Sequence, residues 1–240
     1  GLLFWTLGTL TMICAKMSNV ERYILLGKMK FLRAHGEEQK QQRVQQILDA
    51  TAQLYDEIGY DKITFSKIAP RLNFSRINLY NYFSCKEDIF LLILVQEIKK
   101  LVDDAGKTFK TPYEDIDAFC YEWAALLLRH QRMLSLFSIT NTIILAGATN
   151  EQHKAFRSDI YMEYCKLSKI AQHALPALSD SDAIRFIDLE NSFALVLYPA
   201  SIEYKKANKI AIFPDAGYGT RAFAPQFVNY LKVVLRGLLS

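Results

Sequence analysis

The stretch "NFSRINLYNYFSCKEDIF", residues 73–90, gathers the side chains best suited to chemistry with a polar partner. Arg76, Asn78 and Asn81 bring planar hydrogen-bonding groups, and Tyr80, Tyr82 and Phe83 set rings among them. A core helix does not carry so many donors and acceptors, and a solvated helix does not carry so many rings. Placed on a helix over 75–82, the pattern separates. Leu79 and Phe83 share one face at i, i+4, with Phe74 just before them. Ile77, Tyr80, Asn81 and Ser84 make the opposite face, with Arg76 beside it and Asn78 and Tyr82 flanking the packed side. The major groove of DNA asks for such a mixture, because it presents base edges, thymine methyls and bordering phosphates.

The elements that would position these side chains are also marked. "TFSKIAPRL", residues 64–72, reads as a short helix with Phe65, Ile68 and Leu72 turned inward. Asn73 follows, and asparagine tolerates the left-handed backbone of a tight turn. This is the outline of a helix-turn-helix, whose second helix enters the major groove. Pro70 falls inside the first helix and removes the hydrogen bond to Ser66, so that helix is expected to shorten or kink after Ala69. A small helical bundle with a polar rim fits the same residues, since the motif also occurs without DNA binding.

"ITFSKIAPRLNFSRINLYNYFSCKEDIF" resembles the DNA-binding signature of the TetR family of bacterial transcriptional regulators. The match is carried by Thr64, Ile68, Ala69, Ser75, Leu79, Tyr80, Tyr82, Phe83, Lys86 and Glu87, and is specific over residues 41 to 95. Asn73 stands where the family turn usually has glycine. The resemblance implies base reading by Arg76, Ile77 and Asn78, and phosphate or base-edge contacts by Tyr80, Asn81 and Tyr82. It implies backbone positioning by Thr64, Ser66, Lys67 and Ser75, and a phosphate contact by Lys86. It further implies a homodimer on double-stranded DNA, with recognition helices roughly 34–36 Å apart.

Helical spacing recurs through the rest of the chain and strand signals are sparse, so the fold is expected to be all-α. Helices are expected at about 38–58, 65–71, 75–82, 85–105, 112–129, 131–146, 150–174, 180–204 and 225–239. Ser84 with Glu87, Thr111-Pro112 with Glu114, Thr149 with Gln152 and Ser179 with Asp182 read as helix starts. Three regions follow: 1–35, an N-terminal extension that is either not native or poorly ordered; 36–90, the DNA-binding unit; and 91–240, a larger helical body for dimerisation and an effector. Leu2–Ala15 is apolar but short of the roughly 20 residues that span a bilayer. No membrane partner is therefore expected, and the location is expected to be cytoplasmic.

With 51% apolar and 22% charged residues, the chain is neither a disordered tail nor a multi-span membrane protein. A net charge of +4 permits an anionic partner without demanding one. Cys14, Cys85, Cys120 and Cys165 form no paired motif, and His35, His130, His153 and His173 stand alone. No metal, cofactor or catalytic residue is expected, and an enzyme is not expected.

Broad apolar faces over 183–204 and 227–239 suit a four-helix interface between two copies. Tyr121, Trp123, Phe137, Tyr161 and Phe193 are the candidates for contact with an unknown small-molecule effector, should the body hold a cavity. The expected function is a ligand-responsive regulator, a repressor released from a palindromic operator by its effector. The alternative is an effector-independent DNA-binding protein on the same scaffold that recruits a protein partner.

Overall fold

The computed structural model describes the backbone of residues 19–207 and 222–240, and the side chains of 38–202 and 222–240. The expectation for Leu2–Ala15 falls outside the described residues, as does most of the segment between the expected helices 180–204 and 225–239. The chain divides into two compact units, Gly1–Asp49 and Ala50–Ser240.

Among the described residues the regular structure is all helical, with no strand, as the sparse strand signals implied. Helix α1 spans Asn19–Ile58, so it starts well before the expected residue 38. The polar run near its middle, "EEQKQQR", is made of good helix formers and breaks nothing. Gly59, at φ 75° and ψ 165°, ends α1 where a side chain would be strained.

In the second unit, a 3-10 turn at Tyr60–Lys62 leads to α2, Phe65–Ile68. The path then tightens into a 3-10 turn over Ala69–Leu72, so Pro70 has the expected effect. After α3 (Arg76–Tyr80) come α4 (Lys86–Thr108) and α5 (Ile116–Arg129). Helix α6 runs over Gln131–Ile139, widens into a π turn at Thr140–Ile144 and closes at Leu145–Gly147. Helices α7 (Asn150–Ala174), α8 (Asp180–Ala207) and α9 (Phe223–Leu238) complete the body. There α4 packs on α7 and α6, α8 packs on α7, α9 and α6, and α9 lies along α5.

Two expected helix starts are corrected. Helix α5 begins at Ile116, capped by the Asp115 side chain, and not at Pro112. The Tyr113 N–H is held instead by the Ala174 carbonyl at 2.8 Å, which fixes that segment against the end of α7. Helix α4 is capped by the extended Cys85 and not by a Ser84–Glu87 box. Glu87 turns away to accept from the Tyr60 hydroxyl at 2.7 Å. Thr149 caps α7 as expected, and Ser179 and Asp182 form a reciprocal pair at the start of α8.

The core of the body is aromatic. Phe109, Phe119, Trp123 and Phe186 are fully or almost fully buried, with neighbouring ring centroids 5.1–5.9 Å apart. Burying each such ring contributes on the order of 2 kcal/mol.

Candidate nucleic-acid interface

The helix-turn-helix forms from the apolar positions outward. Phe65, Ile68 and Ala69 of the first helical segment are buried, and so are Leu79 and Phe83 of the second. Asn73 takes the left-handed conformation at φ 53° and ψ 36°, so the usual turn glycine is replaced as expected. The Phe74 N–H reaches back to the Ala69 carbonyl at 3.0 Å and closes the turn. Ser75 caps α3, its hydroxyl accepting from the Asn78 N–H at 3.2 Å. Phe74 stacks on Tyr82, and Phe65 packs on Tyr80 with centroids 4.8 Å apart. These contacts fix the rotation of α3 about its own axis.

What remains outside is the mixed face read from the sequence. Ile77 is 74% exposed and Tyr80 is 50% exposed, and Arg76, Asn78 and Asn81 are exposed beside them. Singly exposed apolar side chains are common, and here the isoleucine stands beside an exposed ring, a guanidinium and two amides on one short helix. The Arg76 guanidinium lies 5.6 Å from the centre of the Tyr80 ring, which holds it along the helix surface. Thr64, Ser66 and Lys67 are exposed on α2 and its cap. Together with Arg76, Tyr80, Ser84 and Lys86, Thr64 and Ser66 line a groove of about 530 Å³.

Two of the expected contact residues are less open. Tyr82 is half-buried against Phe74. Lys86 is half-buried too, its ammonium 4.1 Å from the centre of the Tyr60 ring and donating to the Tyr60 carbonyl at 3.2 Å. Tyr60 escaped the sequence reading, although its position directly after Gly59 hinted at a fixed turn. It is the platform under Lys86 and the anchor of Glu87; burial, then the Glu87 hydrogen bond, pushes its phenol well above the usual range.

The start of α4, which leaves this unit, is gripped by the body. Thr149 donates to Asp88, and the Cys85 thiol donates to the Gly147 carbonyl at 3.3 Å. A Cβ at Gly147 would stand 2.7 Å from Glu87 Cγ, so any other residue there must displace the Glu87 side chain. Arg132 of α6 pairs with both Asp56 and Glu97, tying α1 to α4.

The five effector candidates sit in separate environments. Tyr121 and Tyr161 are exposed, with Tyr121 beneath Lys232, while Trp123 is buried in the aromatic core. Tyr121 and Trp123 are two residues apart on α5, about 200° around the helix, so one faces out where the other faces in. Phe137 meets Tyr164 edge-on, and Phe193 stacks on Tyr230 at 4.0 Å. Among the described residues, no group of three or more His, Cys, Asp or Glu could hold a metal ion, and no helix is long and apolar enough to cross a membrane.

The model of bacterial regulatory proteins, tetR family, matches residues 47–93. The model of the tetracyclin repressor-like C-terminal domain matches residues 95–240. The chain belongs to the TetR family. It is a DNA-binding transcriptional regulator, and the groove-facing side chains lie within the first match. Comparison with curated proteins found no match. Among solved structures, a transcriptional regulator from Cytophaga hutchinsonii is similar at 20% identity and TM-score 0.53, over 82% of this chain and 99% of that one. The fatty acid degradation regulator FadR from Bacillus halodurans is similar at 15% identity and TM-score 0.52, over 81% and 95%. A possible TetR-family regulator from Streptomyces coelicolor A3(2) is similar at 19% identity and TM-score 0.51, over 83% and 98%. These likenesses establish the shared fold.

Proposed function

We propose that this protein is a ligand-responsive repressor that binds a palindromic operator as a homodimer. The observation that carries the reading is the exposed face of α3. Arg76, Ile77, Asn78, Tyr80 and Asn81 stand clear of a helix locked by Leu79 and Phe83. In this reading Arg76, Ile77 and Asn78 read bases, while Tyr80, Asn81 and Tyr82 meet phosphates or base edges. Thr64, Ser66, Lys67 and Ser75 set the register on the backbone. Lys86 reaches a phosphate by leaving the Tyr60 carbonyl. Residues 36–90 form the reading unit and 91–240 the body.

Dimerisation is supported by apolar side chains that the body leaves in water. Leu189 and Val196, on one side of α8, and Val233 on α9 are exposed. Phe193 and Tyr230 stack between the two helices. A second copy placing the same stripe against this one would cover them by two-fold symmetry. An effector in the body would act by loosening the grip of Thr149 and Gly147 on α4, which changes the spacing of the paired reading units. Preferring the non-binding spacing by a few kcal/mol is enough to release DNA. The protein works without catalysis, in the cytoplasm.

The test is a gel shift on digested genomic DNA against excess nonspecific duplex at fixed salt. Retention of a small subset of fragments supports the reading. Equal loss of all fragments means a charged surface without sequence preference, and counts against it.

A further inference from the structure

The buried acidic side chains among the described residues are Asp88, Glu97, Glu163 and Glu190. Three have partners: Asp88 has Thr149, Glu97 has Lys100 and Arg132, and Glu163 has Lys166. Glu190 has no such cation. It is 1% exposed, and its Oε2 has no hydrogen-bond partner. The Trp123 indole N–H is buried with no acceptor at ordinary hydrogen-bond geometry, although it still acts on this carboxyl, and the Asn191 side-chain amide nitrogen is buried without a partner. A buried carboxyl with an unsatisfied oxygen is costly, and a leucine in its place would cost less.

The surroundings are rings. Glu190 lies one turn beyond Phe186 on the inward stripe of α8, and Phe186 meets Trp123 edge to face at 5.2 Å. The Trp123 N–H lies close enough to act on the carboxyl, and Tyr164 of α7 and Tyr230 of α9 both feel its charge. An acceptor without a cation, enclosed by aromatic faces contributed from several helices, is complementary to an ammonium on an apolar body.

We propose that Glu190 anchors a ligand site in the body that takes the protonated amine of an aromatic monoamine. The ammonium donates to the Glu190 carboxylate, and the ring of the ligand lies among Trp123, Tyr164 and Phe186. This assignment rests on reading the body as an effector domain, and it names the class of effector. The site is closed around Glu190, so the ligand enters as α8 parts from its neighbours. Burial pushes the Glu190 carboxyl up to about 8, against the smaller opposing pull of the Trp123 N–H. An arriving ammonium then displaces the proton to solvent and leaves an ion pair in its place.

The probe is 2-phenylethylamine, compared by calorimetry with 2-phenylethanol and 3-phenylpropionate on the full chain. The amine should bind about tenfold or more tighter than the alcohol, equivalent to about 1.4 kcal/mol. The near-isosteric Glu190→Gln variant should lose that preference. A wild-type protein that binds none of the three, or binds amine and alcohol alike, overturns the proposal, as does a Glu190→Gln protein that keeps the preference. Should Glu190→Gln fail to fold, Trp5→Phe protein leaves Trp123 as the only indole. Its emission should then change saturably with the amine and not with the alcohol, and an unchanged emission overturns the site. Release of DNA is a separate readout. Amine binding without release leaves this site standing and removes the effector reading, whereas release by a neutral or anionic compound, unaltered by Glu190→Gln, does the reverse.

Discussion

Thr149 donates both its backbone N–H, at 2.8 Å, and its hydroxyl, at 3.0 Å, to a single oxygen of Asp88. Asp88 is buried at the first turn of α4, and Thr149 caps α7. One threonine therefore fastens the helix that leaves the reading unit to the helix that begins the second half of the body. Thr149→Val removes the hydroxyl and leaves a buried carboxylate less satisfied. The expected cost is about 1–3 kcal/mol in denaturant unfolding, with Thr149→Ser close to wild type. Equal stability of the valine and serine variants would contradict this role.

Arg76→Ala should weaken operator binding by about 1–3 kcal/mol and relax preference at one base position. The Arg76 side chain lies on the exposed face and along Tyr80, outside the core, so thermal stability should hardly change. Competition between single-base operator variants reads the effect directly.

Val196 and Val233 are each 71% exposed on the stripe assigned to the dimer. Val196→Asp with Val233→Asp places charges where a second copy would exclude water, at a cost of several kcal/mol to the dimer. Sedimentation velocity should report a monomer that retains its helical circular dichroism. An unchanged dimer would move the interface elsewhere.

Glu190 sets a pH dependence of stability. Burial raises its carboxyl up to about 8, above the roughly 4.3 of an exposed glutamate. The folded chain thus holds a proton that the unfolded chain loses between those values, and stability falls as pH rises through that window. Burial, and after it the charge of Glu190, raises the phenols of Tyr164 on α7 and Tyr230 on α9, so neither ionises in the window. Glu190→Gln lacks the penalty. At constant protein concentration its melting temperature should exceed the wild-type value by on the order of 5 °C at pH 8, with the gap closing toward pH 5.

Much of this was legible from residue types and spacing. Leu79 and Phe83 fixed the inward face of α3, Asn73 marked the left-handed turn, and Pro70 marked the change from α to 3-10 geometry. The family signature added the partner. Local signals failed where a distant partner competed for the same group. The Ser84–Glu87 box was not made because Tyr60 holds Glu87, and Pro112 does not start a helix because Ala174 holds Tyr113. The aromatic candidates scattered because type alone does not say which side of a helix faces inward. Glu190 was overlooked, yet the stripe Ala183, Phe186, Ile187, Glu190, Ala194 and Leu197 carries one acidic residue among buried apolar ones. Such an interruption of an inward stripe is a sequence signal in its own right.

The central claim is that paired α3 helices read sequence. Repeated selection of purified protein on random duplexes at fixed salt tests it most directly. The account predicts an enriched palindrome with half-site centres about 10 base pairs apart, one turn of DNA. Binding that yields no enriched sequence and falls steeply with salt would contradict it.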